Sequence, residues 1–287
     1  MLSRQSGGPK LLGLSRRHLS PRTKERAWIW RMGNSVMGIA SVRPRRGRRS
    51  WEVPALHIGA ASDRAVSELL GQVACSASVE DAERIFLRLR IDNEATRAAR
   101  VSGFFPCMRE TLYERPLSAT NNLNCQSFSP SVHMRTEELN DQFGLFRLYN
   151  AATPTSVRSL VGMTLEQWQA SHEQCAGHRE QQVFEWGDSI RGAICTTISS
   201  RASSLSATIH PDDAAFLPNL VDIGLSRLSS ATPVLCLVPE YQVSLGLVLK
   251  ERGFEPVDQF VTLVKSLKKT SRYANRARSA LSSPGTT

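Results

Sequence analysis

Hydrophobic and polar positions alternate along this chain in short segments that predict strands and helices in turn. Apolar residues run together or alternate with polar ones in segments such as 36–42, 85–89 and 234–238, a pattern typical of strands. From Asp63, apolar residues recur at helical spacing through Val73, which predicts a helix. The series predicts an α/β (α+β) fold with a mixed central sheet flanked by helices. Further strands are predicted at 51–58, 108–113, 145–149, 183–186, 193–198, 205–209 and 260–264, and helices at 94–101, 155–161, 165–175, 220–228 and 241–250.

Part of this pattern occurs twice. Element order and spacing agree between the two occurrences, so the sequence predicts one fold present as a partial N-terminal copy and a fuller C-terminal copy. The first copy is expected to lack the opening strand and helices that residues 134–180 supply to the second. The matched segments are 38–42 with 192–196, 85–89 with 234–238, and Gly103-Phe104 with Gly253-Phe254.

Composition shifts suggest where the copies begin and end. The first residues are rich in Ser, Gly, Pro and Arg and show no periodicity, and an uncharged Ser/Asn/Pro-rich stretch lies near the middle of the chain. The predicted division is a disordered basic tail over 1–27, a partial domain over 28–116, a linker over 117–133, a fuller domain over 134–268 and a disordered basic tail over 269–287.

The net charge of +10 over 287 residues is unevenly distributed. Residues 1–50 carry +12 and residues 265–287 carry +6, so the body between them carries −8. A basic groove on the folded body is therefore not expected, and nucleic-acid contact by the basic ends remains a weaker hypothesis. No segment approaches the ~20 apolar residues needed to span a bilayer, so no membrane association is expected.

The cysteines and histidines suggest a cytoplasmic protein without a metal. The six cysteines form no C-x-x-C pair, which is typical of reduced thiols in the cytosol. His172, Cys175 and His178 are spaced three residues apart, but no fourth ligand has matching spacing. A metal site is therefore not expected.

Residues 145–267 resemble a GNAT-superfamily N-acetyltransferase. The resemblance rests on the order of elements, on the hairpin ending in Gly192, on the strand running into Ile209-His210-Pro211, and on the closure at Gly253-Phe254. Residues 36–116 resemble the C-terminal part of a second such domain. The resemblance implies a tandem acyl-CoA-dependent N-acyltransferase, with acetyl-CoA as acyl donor, no metal, and a small-molecule or peptide amine as acceptor.

The resemblance also implies a place for the pyrophosphate of CoA, at the start of the helix that follows His210-Pro211. Amides in a first helical turn are unpaired there, and the helix dipole is positive. The chain departs from the family loop because Ala214 stands at its Arg/Gln position, and Leu217 and Asn219 stand at its small-residue positions. The cofactor-binding residues implied are Ile209, Ala214, Ala215, Leu217 and Asn219.

The catalytic positions show a second departure. Many family members carry a tyrosine four residues before the Gly-Phe glycine as acid for the departing thiolate, and Leu249 stands there in this chain. We expect Tyr241, two turns away, to be the acid and His210 to be the base that takes the proton from the amine. The two departures leave an alternative open, a catalytically inactive GNAT-like binding or regulatory protein.

Overall fold

A computed structural model gives the fold of residues 10–14, 25–47, 49–59, 62–117, 132–173, 177–228 and 232–267. These residues contain one mixed sheet of twelve strands in the order β1-β2-β3-β4-β5-β12-β6-β11-β10-β9-β8-β7. The strands are β1 (Lys10–Leu14), β2 (Arg26–Met32), β3 (Ser35–Pro44), β4 (Ser50–Ile58), β5 (Arg84–Arg90), β6 (Phe105–Arg115), β7 (Val132–Thr136), β8 (His178–Trp186), β9 (Ser189–Ile198), β10 (Ser203–Ile209), β11 (Val234–Pro239) and β12 (Glu255–Ser266).

Seven α-helices of the described ranges cover the faces of this sheet. Two short 3₁₀-helices, Leu139–Asp141 and Pro211–Phe216, lead directly into helices of the second half. No helix of the described ranges is long and apolar enough to cross a membrane. The helices are α1 (Asp63–Val79), α2 (Ala95–Val101), α3 (Gln142–Ala152), α4 (Thr155–Val161), α5 (Leu165–Ser171), α6 (Leu217–Ser226) and α7 (Val243–Glu251).

Each half buries its own hydrophobic core between the sheet and a pair of helices. In the first half, alternate residues of β5, such as Ile85 and Leu87, pack with Leu69 and Leu70 of α1. In the second half, alternate residues of β11 pack with α6 and α7, where Leu249 is fully buried. A smaller cluster containing Leu145, Leu148 and Trp168 joins α3 and α5 to the opposite face of β8 and β9. The second half of the sheet is therefore covered on both faces.

The last strand of each half has been exchanged. β6 follows α2 along the chain but pairs with β11 of the second half, and β12 pairs with β5 of the first half. β6 and β12 pair with each other, so the centre of the sheet is made of the two exchanged strands. We call β1–β5, α1, α2 and β12 the N-terminal lobe, and β7–β11, α3–α7 and β6 the C-terminal lobe.

The exchange follows the internal repeat. Gly103 and Gly253 have φ of +86° and +79°, a backbone conformation that favours glycine. Phe104 then packs in the first core and Phe254 in the second, after which each strand crosses to the other lobe. Glu110 pairs with Phe260, each the seventh residue after its glycine, so an approximate twofold axis passes between them.

The structure confirms the repeat and corrects the predicted start of each copy. The opening strand of the second copy is β7, whereas residues 145–149 lie in α3 and not in a strand, because Leu145 and Leu148 share one buried helix face. The first copy also has its opening strands, since β1 pairs with β2 and β2 forms a hairpin with β3. Residues 15–25 separate β1 from β2, whereas residues 137–177 separate β7 from β8 in the second copy.

The predicted domain boundaries need corresponding corrections. The prediction that residues 1–27 are disordered is wrong for β1 and for the first residues of β2, because these two strands pair with each other. The five residues of β1 show no periodicity, so the sequence pattern does not indicate this strand. The linker prediction over 117–133 includes the start of β7. The division into 28–116 and 134–268 separates β6 and β12 from the lobes that they complete. Residues 269–287 lie outside the described ranges.

Candidate functional site

The two parallel strands β10 and β11 separate after a short contact. They pair only at Ser203 with Val234 and at Ser204 with Leu235. Beyond these pairs, β10 stays bonded to β9 as far as Ile209, and β11 stays bonded to β6 as far as Pro239. The twist of the sheet carries the two strand ends apart. The gap places side chains of both strands around two adjoining clefts.

The larger space, which we call the main cleft, has a volume of about 550 Å³. Its lining includes hydroxyl and thiol side chains of β9 and β10, apolar side chains of β11, and Tyr149 and Trp168 from α3 and α5. Arg46, from the loop after β3, and Leu112, from the exchanged strand β6, complete the lining. Residues from the first half of the sequence therefore form part of this cleft. The hydroxyl and thiol residues are Cys195, Thr197, Ser204, Ser206 and Thr208.

A smaller space of about 250 Å³, the side cleft, lies between the end of β10 and the starts of α6 and α7. Ile209, Ala214 and Leu217 line it, as do Ser244 and its neighbours in α7. Three residues, Ala207, Tyr241 and Gln242, line both clefts, so the clefts adjoin at the split between β10 and β11.

Tyr241 lies where the two clefts adjoin. It precedes α7, which begins at Val243, so the prediction that it starts this helix is wrong by two residues. Burial raises the pKa of Tyr241, a hydrogen bond with Thr153 opposes the rise, and the negative charge of Glu110 adds to it. The phenol is therefore protonated at neutral pH and able to donate a proton. Leu249, which belongs to α7, is fully buried and packs in the core of the second half.

His172 lies at the other end of the main cleft, just after α5. Its ring meets Trp168 edge to face, with 4.6 Å between ring centroids, and its carbonyl accepts a hydrogen bond from the Arg46 amide at 3.0 Å. Burial lowers the pKa of His172 to about 4, and the positive charges of Arg46 and Arg179 contribute. The imidazole is therefore neutral at pH 7, in a surrounding that disfavours a further positive charge.

A partly buried ionic cluster joins this part of the main cleft to the N-terminal lobe. Glu173, next to His172, accepts hydrogen bonds from Arg88 at 2.7 Å and from Arg45 at 3.3 Å. Arg88 also bonds Glu110 at 2.9 Å, and Arg45 bonds Glu52 at 3.1 Å. Burial opposes ionisation of Glu173, but the charges of Arg88 and Arg45 prevail and lower its pKa. Five acidic and basic side chains from both halves of the sequence therefore hold the segment after α5 in place.

The expected cofactor loop takes a different form from the one that the resemblance implies. The 3₁₀-helix Pro211–Phe216 runs straight into α6, and the Leu217 amide already donates to the Ala214 carbonyl. Pro218 has no amide hydrogen to donate. Leu217 is 3% exposed and its side chain fills space beside the strand end. Of the predicted residues, Ile209, Ala214 and Leu217 line the side cleft, whereas Ala215 and Asn219 do not.

Negative charge lies next to this loop. Arg191 of β9 bonds Asp213 at 2.6 Å and Asp212 at 3.5 Å, so one base faces two acids. No Arg, Lys or His is among the described residues that line the side cleft. The side cleft therefore fits an extended uncharged group, such as the arm that carries the thioester of CoA.

The structure does not bring His210 and Tyr241 together. The Nδ1 atom of His210 accepts the Asp212 amide at 3.4 Å and caps the 3₁₀-helix, and the side chain lines neither cleft. Its assignment as a base remains a sequence prediction without support from the cleft. Within the described ranges, no group of three His, Cys, Asp or Glu side chains could hold a metal ion, and Cys175 lies outside those ranges.

The N-terminal lobe has an equivalent of the side cleft. A space of about 240 Å³ lies between the end of β4 and the starts of α1 and α2. Its lining includes Asp63 and Glu94, and the Ser62 hydroxyl accepts the Ala65 amide at 3.4 Å. Within the part of the chain that the structure describes, no tyrosine lines this space, and the combination of cleft and phenol is found in the C-terminal lobe.

Sequence reasoning missed several residues of the main cleft. The strand predicted over residues 145–149 conceals Tyr149 and Thr153, although Leu145 and Leu148 stand at helical spacing and indicate α3. In the sequence, His172 stands out only as a possible metal ligand. Arg46 could not have been found from periodicity, since it reaches the cleft only through the packing of the β3–β4 loop against α5.

Comparison with known proteins shows the fold. No family model matches the sequence, and no curated protein is significantly similar to it in sequence. A tandem GNAT protein from the clavulanic acid biosynthesis pathway superposes with a TM-score of 0.53 and 13% identity, over 88% of this chain and 85% of that one. A GCN5-related N-acetyltransferase from Sphaerobacter thermophilus superposes with a TM-score of 0.53 and 12% identity, over 84% of this chain and 80% of that one. A GCN5-related N-acetyltransferase from Kribbella flavida superposes with a TM-score of 0.52 and 12% identity, over 82% of this chain and 89% of that one. The predicted tandem GNAT fold is thus confirmed.

Proposed function

We propose that this chain, whose fold is that of tandem GNAT proteins, is an N-acyltransferase that moves an acyl group, most simply acetyl, from a thioester to an amine. The observation that carries the proposal is the split between β10 and β11, with Tyr241 where the two clefts adjoin. The side cleft is assigned to the donor and the main cleft to the acceptor amine, a small molecule or a peptide. Acetyl-CoA is the donor that the fold suggests, with its arm in the side cleft.

The acyl thioester supplies the electrophilic carbonyl, and the chain supplies its surroundings. β10 beyond Ser204 has no strand partner on its β11 side, so its backbone groups face the gap. An amide there would stabilise negative charge that develops on a carbonyl oxygen. Trp168 and Tyr149 line the main cleft, where their rings give the acceptor a partly apolar surrounding.

The main cleft favours an amine in its neutral, reactive form. Arg46 and Arg179 line it, and both lower the pKa of His172. The same positive charges would lower the pKa of an amine bound beside them, because like charges disfavour the ammonium form. The neutral His172 ring can accept a hydrogen bond from that amine. An amine that binds in this neutral form needs no base before it attacks the thioester carbonyl. When the C–S bond breaks, the proton that the nitrogen loses replaces, through solvent, the one that Tyr241 gives to the thiolate.

Tyr241 is assigned to protonate the departing thiolate. Its phenol is protonated at neutral pH for the reasons given above, and it lies between the donor and acceptor spaces. A positioned acid of this kind contributes about 10²- to 10⁴-fold to the rate. The bond with Thr153 orients the phenol.

The test is a turnover assay of the full chain with acetyl-CoA and a panel of amines, followed by thiol release and by mass spectrometry of the amine. The proposal expects thiol release that depends on the amine, with a matching mass increase of one acyl group. Thiol release without acylated amine would indicate hydrolysis and contradict the proposed transfer.

A second candidate is an inactive GNAT-like protein that binds a ligand or regulates a partner. The altered loop at Leu217 and the buried Leu249 favour it, because neither can perform the role that the family gives to those positions. This candidate expects binding in the clefts without any thiol release across the panel, and it fails if Tyr241→Phe lowers a measurable turnover.

A further inference from the structure

The charge that the main cleft offers to an acceptor is positive. Glu173 is the one acid among the described residues that line it, and two arginines of the ionic cluster already bond its carboxylate. His172 is neutral at pH 7, because burial lowers its pKa to about 4. Arg46 and Arg179, the remaining charged residues of the described lining, therefore determine the charge that an acceptor meets.

Arg46 is the one of these two arginines that is open to a ligand. Arg179 bonds Gln181, and its guanidinium lies 3.8 Å from the Glu137 carboxylate. Arg46 is exposed, and within the described ranges its guanidinium makes no hydrogen bond or ion pair. A guanidinium presents its N–H donors in a planar fork that matches the two oxygens of a carboxylate. Arg46 is therefore ready to bind an anionic group at the His172 end of the cleft.

The loop that carries Arg46 is held in a defined position. The Arg46 amide donates to the His172 carbonyl at 3.0 Å. The next residue, Gly47, packs so closely against α5 that a Cβ there would lie 2.4 Å from the Ala170 Cβ. The backbone of this loop is therefore fixed against the C-terminal lobe, although the loop belongs to the N-terminal lobe, and an ordered backbone reduces the entropy that binding costs.

An amine that also carries a carboxylate gains from this arrangement. Its own negative charge favours the ammonium form and so raises the pKa of the amine. An ion pair with Arg46 offsets that charge, and Arg179 remains as a positive charge that disfavours the ammonium form. A diamine, by contrast, brings a second positive charge toward two arginines. The cleft therefore matches an amine with a carboxylate better than an amine with a further base.

We propose that the main cleft selects amines that also carry a carboxylate, and that Arg46 binds that carboxylate. The inference rests on the proposed function, because it names the acceptor class of the same cleft. A free amino acid and the C-terminus of a short peptide both present this group. The N-terminal lobe then supplies the specificity for the acceptor, and the C-terminal lobe supplies the split strands and Tyr241.

Matched pairs of acceptors test the selection. With acetyl-CoA as donor, leucine is compared with leucinamide, dileucine with its C-terminal amide, and both pairs with putrescine. The carboxylate member of at least one pair should have a kcat/KM about tenfold higher or more, and the pair that shows it identifies a free amino acid or a peptide as the source. The amine of each amide is the less basic one, so a larger neutral fraction acts against the expected result.

The two proposals fail in different ways. A kcat/KM for the carboxylate that is no higher than for the amide in both pairs, or acylation confined to amines without a carboxylate, would overturn the selection and leave the acyl transfer standing. No acylation of any amine, in these pairs or in the wider panel, would instead contradict the proposed function.

Two arginine variants test the role of Arg46. Arg46→Gln should raise the KM for the preferred carboxylate about tenfold or more, change that for its amide little, and leave the urea midpoint unchanged, because the side chain is exposed. Arg147 is exposed on α3 and lines neither cleft, so Arg147→Gln removes the same charge as a matched control and should keep the selection. A preference for the carboxylate that survives in Arg46→Gln, or an equal loss in both variants, would overturn the assignment of Arg46.

Discussion

Cutting the chain between β6 and β7 should leave its two parts unable to fold apart. Cleavage at a protease site inserted between residues 117 and 132 leaves β6 on the first fragment, although β6 completes the C-terminal lobe. It leaves β12 on the second fragment, although β12 completes the N-terminal lobe. The exchanged strands make each part depend on the other, although the sequence divides into two copies of one fold.

The size of this dependence follows from what β12 contributes to the N-terminal lobe. It pairs with β5 at seven positions and places Val261 and Leu263, 8% and 0% exposed, in the first core. Burial of an aliphatic side chain of this size contributes about 1.5–3 kcal/mol. Loss of both therefore removes about 3–6 kcal/mol, before any backbone pairing is counted, from a stability of about 5–15 kcal/mol for a typical protein.

The assay compares the two fragments alone, together and as the uncut chain with the same insertion. After cleavage the fragments should co-elute in size-exclusion chromatography and unfold in one transition. Expressed separately, each should lack a cooperative unfolding transition, and co-expression should restore it. Two fragments that each fold alone, with cooperative transitions near that of the uncut chain, would refute the exchange of strands.

Two further predictions concern stability. Because the unfolded chain binds a proton at His172 near pH 6.5 and the folded chain only near pH 4, the free energy of unfolding should fall by about 2 kcal/mol from pH 7 to pH 5 through this group. Urea titrations at both pH values should show a smaller fall in His172→Gln, and an equal fall would contradict the burial of a neutral ring. Leu249→Ala should cost about 2–5 kcal/mol, against less than about 0.5 kcal/mol for the exposed control Leu247→Ala, and equal midpoints in urea would contradict the packing beneath α7.

The features of the fold that could be predicted are those that local pattern determines. The alternation in β5 and β11 and the Gly-Phe turns were sufficient to find the repeat, because each copy buries the same face against the same helices. The exchange of β6 and β12 could not be predicted, because the pattern of apolar residues within each strand is the same whichever lobe the strand joins. Partner choice depends on contacts between distant parts of the chain.

The candidate site also combines features that the sequence predicts with features that depend on contacts between distant parts of the chain. Tyr241 and three of the five predicted loop residues lie at the clefts because the order of elements places them at the split between strands. The closed start of α6 depends on the 3₁₀-helix that precedes it, and the contribution of Arg46 depends on packing between the lobes. The sequence predicts His210 as the base from the chemistry of histidine and its place before Pro211, but in the structure it caps the 3₁₀-helix and lines neither cleft.

The most direct measurement of the account's central claim is the kcat for amine acylation by Tyr241→Phe, set beside that of the control Tyr113→Phe. Tyr113 lies on β6, packs against the second core and lines neither cleft, so its variant should retain the activity of the unchanged chain. Loss of the Tyr241 hydroxyl should lower kcat by about 10²- to 10⁴-fold while donor affinity changes little. Equal kcat values for the two variants would contradict the assignment of Tyr241 as the acid.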